Sequence, residues 1–210
     1  MTPIACRVID TPLGPLTAYA TAKGLAALDF QHCTASFAPF ADQAAHVDQA
    51  AHVDEADRVD EAGQADQAGV ARRNAGRGSA LGGAHLDHCA AELAAYFAGD
   101  LAAFSVPLDL HGTPFRVRVW NALLTIPLGE TRSYAQIAQA AGNPAAVRAV
   151  GLANGANRIA IIVPCHRVIG SDGKLTGYGG GIDRKRWLLD HEHAEINEPR
   201  LYDAIWESRR

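Results

Sequence analysis

The sequence predicts an α/β protein of two domains, a small N-terminal β-sheet domain followed by a C-terminal helical domain. Three observations carry that expectation. Residues 4–30 alternate short apolar runs with turn residues, the pattern of a β-meander. Residues 113–183 are crowded with helix start and stop signals. Between them, His111-Gly112-Thr113-Pro114 reads as a linker. The boundaries follow as 1–110 for the first domain and 111–195 for the second, with 196–210 left as a tail.

In the first domain, Ile4 to Ile9 reads as one strand, Asp10 to Pro15 as turn chemistry, Leu16 to Thr21 as a second strand, Lys23-Gly24 as a turn and Leu25 to Phe30 as a third strand. Residues 38–83 differ in kind. Ala-His-Val-Asp-Gln-Ala at 45–50 recurs as Ala-His-Val-Asp-Glu-Ala at 51–56, and Asp57 to Ala62 is a degraded third copy. The six-residue period fits neither helix nor strand, and the segment has too few bulky apolar residues to offset the entropy of ordering it. It is expected to be a flexible surface insertion. From His85, the positions Leu86, Cys89, Ala90, Leu93 and Phe97 share one helical face, and Gly99 closes the helix. Ala103 to Leu110 is expected to be extended.

In the second domain, Thr113 and Pro114 are N-cap and first position of a helix that turns Phe115, Val119, Trp120 and Leu123 inward. Ser133 with Gln136 is a capping box for a helix running to Ala141. Gly142-Asn143 is a tight turn, with Asn143-Pro144 read as the next N-cap and first position and a helix over Ala145 to Asn154. Two helices joined by a short glycine turn have helix-turn-helix spacing. The second is lined with small residues, Ala145, Ala146, Ala149 and Gly151, around one long cation, Arg148. Such a face suits a groove, and it equally suits helix–helix packing. Further on, Ser171 to Lys174 is a turn, Thr176 to Gly181 a glycine-rich loop, and Asp183 the cap of a last helix ending at His191-Glu192.

The chemistry concentrates in Ile161-Ile162-Val163-Pro164-Cys165-His166-Arg167-Val168. The apolar run reads as a buried strand that Pro164 terminates. Behind it a thiol sits beside an imidazole and a guanidinium, and a nearby His or Arg favours the thiolate, the nucleophilic form.

Composition narrows the function classes. Of 210 residues, 48% are hydrophobic and 20% charged, a soluble globular profile. No run approaches the roughly 18 apolar residues of a membrane span, and Met1 to Asp10 lacks the apolar region of a signal peptide. A cytoplasmic protein without a membrane partner is expected. Cys6, Cys33, Cys89 and Cys165 are widely spaced, which argues against a disulfide framework or zinc knuckle. The net charge of −4 hides an asymmetry: residues 1–110 carry 6 Lys/Arg against 14 Asp/Glu, and residues 111–210 carry 13 against 9. A nucleic-acid partner would meet the second half.

Taken together, residues 114–192 closely resemble the O6-alkylguanine-DNA alkyltransferases, the methylated-DNA–protein-cysteine methyltransferases. The resemblance rests on Pro164 to Val168, Ser133-Tyr134, Ala141 to Pro144, Arg148 to Gly151, Asn157, Tyr178 with its glycines, and Trp187-Leu188-Leu189 before His191-Glu192. Residues 4–30 resemble the family's N-terminal domain more loosely, and 38–83 has no counterpart. The resemblance implies a ribonuclease H-like first domain and a winged helix-turn-helix-like second. It implies DNA repair by direct reversal: one irreversible transfer of an alkyl group from O6-alkylguanine, and conceivably O4-alkylthymine, to Cys165. His166 would take the thiol proton through a water, Glu192 would orient the imidazole, and Asn157 would hold the active-site segment. Tyr134 would assist nucleotide rotation, Arg148 would fill the gap left by the extruded base, and Tyr178 would wall the pocket. Asn143 and Ser171 would touch the DNA backbone, with Ala146, Ala149 and Gly151 against the minor groove. The partner would be double-stranded DNA carrying alkylated bases, met by a monomer with no cofactor and no metal. The zinc ligands of eukaryotic members have no match in Thr21 to Ala26. Two rivals stand beside this reading: a thiol hydrolase built on Cys165, His166 and Glu192, and a helix-turn-helix regulator with an incidental Cys.

Overall fold

The computed structural model describes residues 5–30 and 80–196. Residues 38–79 of the expected insertion and 197–210 of the expected tail lie outside the described residues, as do His32 and Cys33.

The N-terminal sheet is antiparallel in the order β1 (Ala5–Ile9), β2 (Leu16–Ala20), β3 (Leu25–Asp29). Ala5 faces Ala20 and Ile9 faces Leu16, while Thr17 faces Asp29, with a register shift between Tyr19 and Ala20. β2 is buried along its whole length, so it reads as an apolar run rather than an alternation. The outer edge of β3 is covered by passing chain. Leu25 N–H donates to Pro107 O at 2.7 Å and Asp109 N–H to Leu25 O at 2.8 Å. Further along, Leu28 N–H donates to Arg158 O at 2.8 Å and Ala160 N–H to Leu28 O at 2.9 Å. This strand edge is thereby closed against further pairing, and the segment leading to Cys165 is anchored on the N-terminal sheet.

Helix α1 spans Ala80–Ala98, five residues earlier than its periodicity predicts, and lies against all three strands. Gly82 and Gly83 lower helix propensity, but packing overrides it: a Cβ on Gly82 would sit 3.2 Å from Ala5 Cβ, so the glycine lets helix and sheet approach. Residues 80–83 therefore belong to the helix and not to the insertion. The 103–110 segment is irregular rather than extended, with a single strand-like bridge from Leu108 to Leu25. Its backbone is satisfied by a side chain instead, as Glu92 accepts the Ser105 and Val106 N–H groups at 2.7 and 3.0 Å.

In the second half, α2 (Pro114–Leu124) begins at the Thr113 cap, and its Trp120 Nε1 donates to Ala153 O at 2.8 Å, tying it to α4 (Val147–Gly155). Between them, β4 (Arg132–Ser133) leads into α3 (Tyr134–Ala140) with both capping-box bonds formed. β4 pairs in parallel with β5 (Val168–Ile169), a pairing too short for any periodicity to announce. Helix α4 starts two residues later than predicted. Asn143 is no N-cap: its carbonyl accepts Ala146 N–H in a turn, and α4 has no side-chain cap. Helix α5 (Ile182–His191) likewise starts from Gly181, at φ +92°, with Asp183 in its first turn rather than capping it.

The largest correction concerns Ile161 to Val163. The run is fully buried yet is not a strand. Ile161 sits at φ +68°, a left-handed conformation costly for a β-branched residue, and Ile162 N–H turns back to Ala160 O. Burial produces the apolar run, and burial alone does not distinguish a strand from a packed turn. One hydrophobic core joins sheet and helices, from Leu16 and Leu28 through Leu93 and Tyr96 to Trp120, Val150 and Leu188. Among the described residues no helix is long and apolar enough to cross a membrane.

Candidate active site

Cys165 opens a single 3-10 turn, Cys165–Arg167, just after Pro164 and just before β5. The thiol is 6% exposed. Asn157 Nδ2 lies 3.0 Å from its sulfur and 2.8 Å from Val163 O, while Asn157 Oδ1 accepts Ile159 N–H. A second amide, Asn154 Nδ2, donates to the Cys165 carbonyl at 3.3 Å. Two side chains leaving the end of α4 thus clamp the turn that carries the thiol. Burial pushes the Cys165 thiol up, and the Asn157 hydrogen bond and the Lys185 charge oppose it. The resting group is a thiol, so the nucleophile needs a base.

The candidate base is His166, the next residue in the chain, and it is fully buried. Its Nε2 lies 2.9 Å from Glu192 Oε1. A carboxylate only accepts, so Nε2 carries the hydrogen and Nδ1 carries the lone pair. Nδ1 has no hydrogen-bond partner among the described residues. Burial holds the imidazole below its usual pKa, against the pull of Glu192, so the ring rests neutral and ready to accept. Burial alone would raise the Glu192 carboxyl. The His166 and Arg167 interactions outweigh it and hold the group well below the usual carboxylate range.

Arg167, expected beside the thiol as an activator, serves the carboxylate instead. Its Nε and Nη2 grip Glu192 at 2.7 and 2.9 Å, and Nη1 donates to Ile126 O at 2.6 Å. This fork matches carboxylate geometry and offsets the desolvation of the buried anion. The thiol's cation is Lys185, a residue that the sequence hides among the charges of a helix. Its Nζ donates to Val168 O at 2.6 Å and Thr176 O at 2.8 Å, and burial pulls its pKa down to about 8 while the Cys165 sulfur opposes the shift.

Beside this cluster opens a cavity of about 410 Å³ lined by Tyr134, Val147, Gly151, Asn154, Gly155 and Thr176 to Gly179. The Tyr134 ring stands over Gly151, and Tyr134 Oη accepts from Thr176 Oγ1 at 3.2 Å, joining α3 to the glycine-rich loop. Tyr178 meets His166 edge-on at 6.5 Å between ring centroids. The structure therefore gathers Cys165, His166, Glu192, Asn157, Tyr134, Gly151 and Tyr178 around one site. Asn143, Arg148, Ala149 and Ser171 lie instead on the exposed surface, and Ala146 is half-buried at the start of α4. Three residues and one role escaped sequence reasoning: Lys185, Asn154, Tyr96, whose hydroxyl donates to Glu192 Oε1 at 2.8 Å, and the carboxylate-facing role of Arg167. Only Asn154, three residues before Asn157 on a helix end, left a local signal. Among the described residues no group of three or more His, Cys, Asp or Glu is placed to hold a metal. His88 Nε2 lies 3.1 Å from Ser105 Oγ and 3.2 Å from Glu92 Oε1.

Comparison with known proteins extends this picture. Residues 4–110 match the 6-O-methylguanine DNA methyltransferase, ribonuclease-like domain, and residues 114–194 match the DNA binding domain of the same family. A methylated-DNA–protein-cysteine methyltransferase of Mycobacterium tuberculosis H37Rv is 71% identical over 101 residues, covering 48% of this chain and 61% of that protein. One from Mycobacterium leprae is 61% identical over 113 residues, 53% of this chain and 68% of its own. The aligned region thus spans about three-fifths of the length of the first of these curated relatives. Among solved structures, the M. tuberculosis O6-methylguanine methyltransferase superposes with a TM-score of 0.63 at 45% identity, covering 93% of this chain and 96% of that one. The M. tuberculosis OGT in complex with DNA also gives 0.63, at 46% identity over 90% and 92% of the two chains.

Proposed function

Because this chain belongs to the 6-O-methylguanine DNA methyltransferase family, we propose that it repairs DNA by moving the alkyl group of O6-alkylguanine onto Cys165. The observation that carries this reading is the buried thiol held by Asn157, beside a tautomer-fixed His166, next to a cavity of purine-accommodating size whose lining residue Asn154 bonds the Cys165 carbonyl. An alkyl group on a base oxygen is inaccessible inside a duplex, so the nucleotide must be turned out at a cost of a few kcal/mol. The exposed face of α4, with Arg148 beside Ala149 and near Gly151, suits entry into the minor groove, with Arg148 filling the space the base vacates. Asn143 and Ser171 are exposed, and backbone phosphates would be their partners.

The thiol proton leaves for His166 Nδ1 through a water, and the imidazolium is stabilised by Glu192, whose charge Arg167 balances. The sulfur then attacks the alkyl carbon, forming S–C as C–O6 breaks. The departing guanine takes one proton from Tyr134, whose hydroxyl oxygen already accepts from Thr176, and the phenolate so formed recovers a proton from the His166 imidazolium through solvent. Overall one proton passes from thiol to guanine, and no cofactor or metal is required. The product thioether has no electrophilic carbonyl for water to attack, so the thiol is not regenerated. The protein acts as a monomer on double-stranded DNA, in the cytoplasm or wherever its DNA lies. Incubation with excess duplex carrying radiolabelled O6-methylguanine is expected to transfer up to one methyl group per protein molecule, on the Cys165 peptide, and then stop. Sustained turnover would overturn the reading and favour a thiol hydrolase.

A further inference from the structure

We propose that Tyr96, on the N-terminal helix α1, is a positioning residue of the reaction that holds the Glu192–His166 pair in its working geometry. The proposal rests on the alkyl-transfer reading of the site and gives the N-terminal domain a part in it. Tyr96 is 1% exposed, and its hydroxyl donates to Glu192 Oε1 at 2.8 Å. Its own carbonyl accepts His191 Nε2 at 2.8 Å. Both ends of one residue are therefore fastened to consecutive positions at the end of α5. The ring is confined by Phe97 at 5.2 Å, Phe104 at 5.4 Å and His191 at 5.1 Å, which leaves the hydroxyl no other direction.

The donors around the carboxylate explain what the hydroxyl does. Oε2 takes Arg167 Nε alone, whereas Oε1 takes His166 Nε2, Arg167 Nη2 and Tyr96 Oη. Three donors share the lone pairs of one oxygen, so each weakens what the others receive. Tyr96 draws on density that would otherwise go to the imidazole N–H. It also fixes the rotation of the carboxylate, and through it the plane of His166. Removing the hydroxyl gives Oε1 more fully to His166, makes the ring more basic and leaves the carboxylate less well held. The other groups facing this pair stay in place: the Arg167 and Lys185 charges, the Cys165 thiol, Tyr178 at the ring edge, and His191 on the Tyr96 carbonyl.

Tyr96→Phe keeps the ring and its packing and removes only the hydroxyl. The transfer rate from methylated duplex at neutral pH is expected to fall about three- to tenfold, the net worth of one ordinary intramolecular hydrogen bond. The acid limb of the pH–rate profile and the imidazole NMR titration of His166 should both move to higher pH, and duplex affinity should be unchanged. Phe104→Leu, which loosens the same aromatic packing without touching Glu192, should leave both curves where the wild type has them. Superimposable curves for Tyr96→Phe and wild type would overturn the proposal, whatever the change in thermal stability. A wild-type protein that transfers no methyl group would instead overturn the alkyl-transfer reading, and the His166 titration would still test the hydroxyl's effect.

Discussion

Among the described residues two cysteines are buried, one in each half of the molecule, and they are alike in burial and different in everything else. Cys89 sits in the middle of α1, fully buried in the core beneath the sheet. Burial pushes its thiol up to about 12, and the Glu92 carboxylate one turn on pushes the same way. Cys165 is nearly as buried, but its neighbours oppose the burial: an amide N–H from Asn157 on the sulfur and the Lys185 charge, with His166 next in the chain. Exclusion from water alone makes a thiol inert. Reactivity comes from donors and a base held in place, and holding them takes a 3-10 turn clamped by two asparagines rather than a regular helix.

The sharpest way to break this contrast is to remove each sulfur in turn. Cys165→Ala is expected to abolish methyl transfer while lesion binding persists, because the proposed DNA and base contacts lie on the α4 surface and in the cavity. Cys89→Ala should transfer at the wild-type rate and lose about 1–3 kcal/mol of stability from the cavity it leaves. Radiolabel counting and urea unfolding measure the two effects. Transfer surviving in Cys165→Ala would place the nucleophile elsewhere.

The donors come next. Asn157→Ala removes the hydrogen bond to sulfur and frees the Val163 carbonyl, so transfer should slow by about 100-fold, as when a preorganised donor is lost. Lys185→Met removes a charge that opposes the rise while keeping length and apolar bulk. Each pKa unit by which the thiol rises lowers its thiolate fraction tenfold, and a loss of about tenfold is expected. In both variants the pH dependence of Cys165 alkylation by iodoacetamide should move to higher pH. A curve that stays put in Lys185→Met would mean that the lysine serves only the Val168 and Thr176 carbonyls.

Legibility in the sequence followed the range of the interactions. The meander, the Thr113 cap and the Ser133–Gln136 box depend on neighbours within a few residues, and they appear where their signals place them. The Asn143 and Asp183 caps failed because each signal is satisfied by a turn or a glycine start with the same local chemistry. The Ile161 turn was hidden because its apolar run reports burial and not conformation. Within the site, Cys165 and His166 stand together in the chain and could be read there. Tyr96 lies 96 residues from Glu192, and Arg167 lies 25. Lys185 is invisible for another reason: its helix neighbours Arg184 and Arg186 are also basic, and only packing reveals which cation is buried.

The smallest expected effect tests the other half of the contrast. Glu92→Gln removes the charge that helps to raise Cys89, but burial is the larger cause and remains. Cys89 should therefore stay unlabelled by iodoacetamide in the folded protein at neutral pH. Glu92 itself feels burial pushing its carboxyl up, and the Ser105 and Val106 hydrogen bonds and the His88 charge reverse that to a net lowering. A carboxyl lowered on folding contributes stability that is present above its unfolded pKa, near 4.5, and lost as pH falls below that value. The Gln variant should give up about 1–2 kcal/mol at neutral pH, since a neutral amide accepts those N–H groups less strongly. Below pH 4.5 the difference between the two proteins should shrink, because the carboxyl of the unfolded chain takes up its proton there and the folded one only at lower pH. Urea unfolding at pH 7 and at pH 3 measures both. If removing this one charge made Cys89 reactive in the folded protein, charge and not burial would be silencing it, and the contrast drawn between Cys89 and Cys165 would fail.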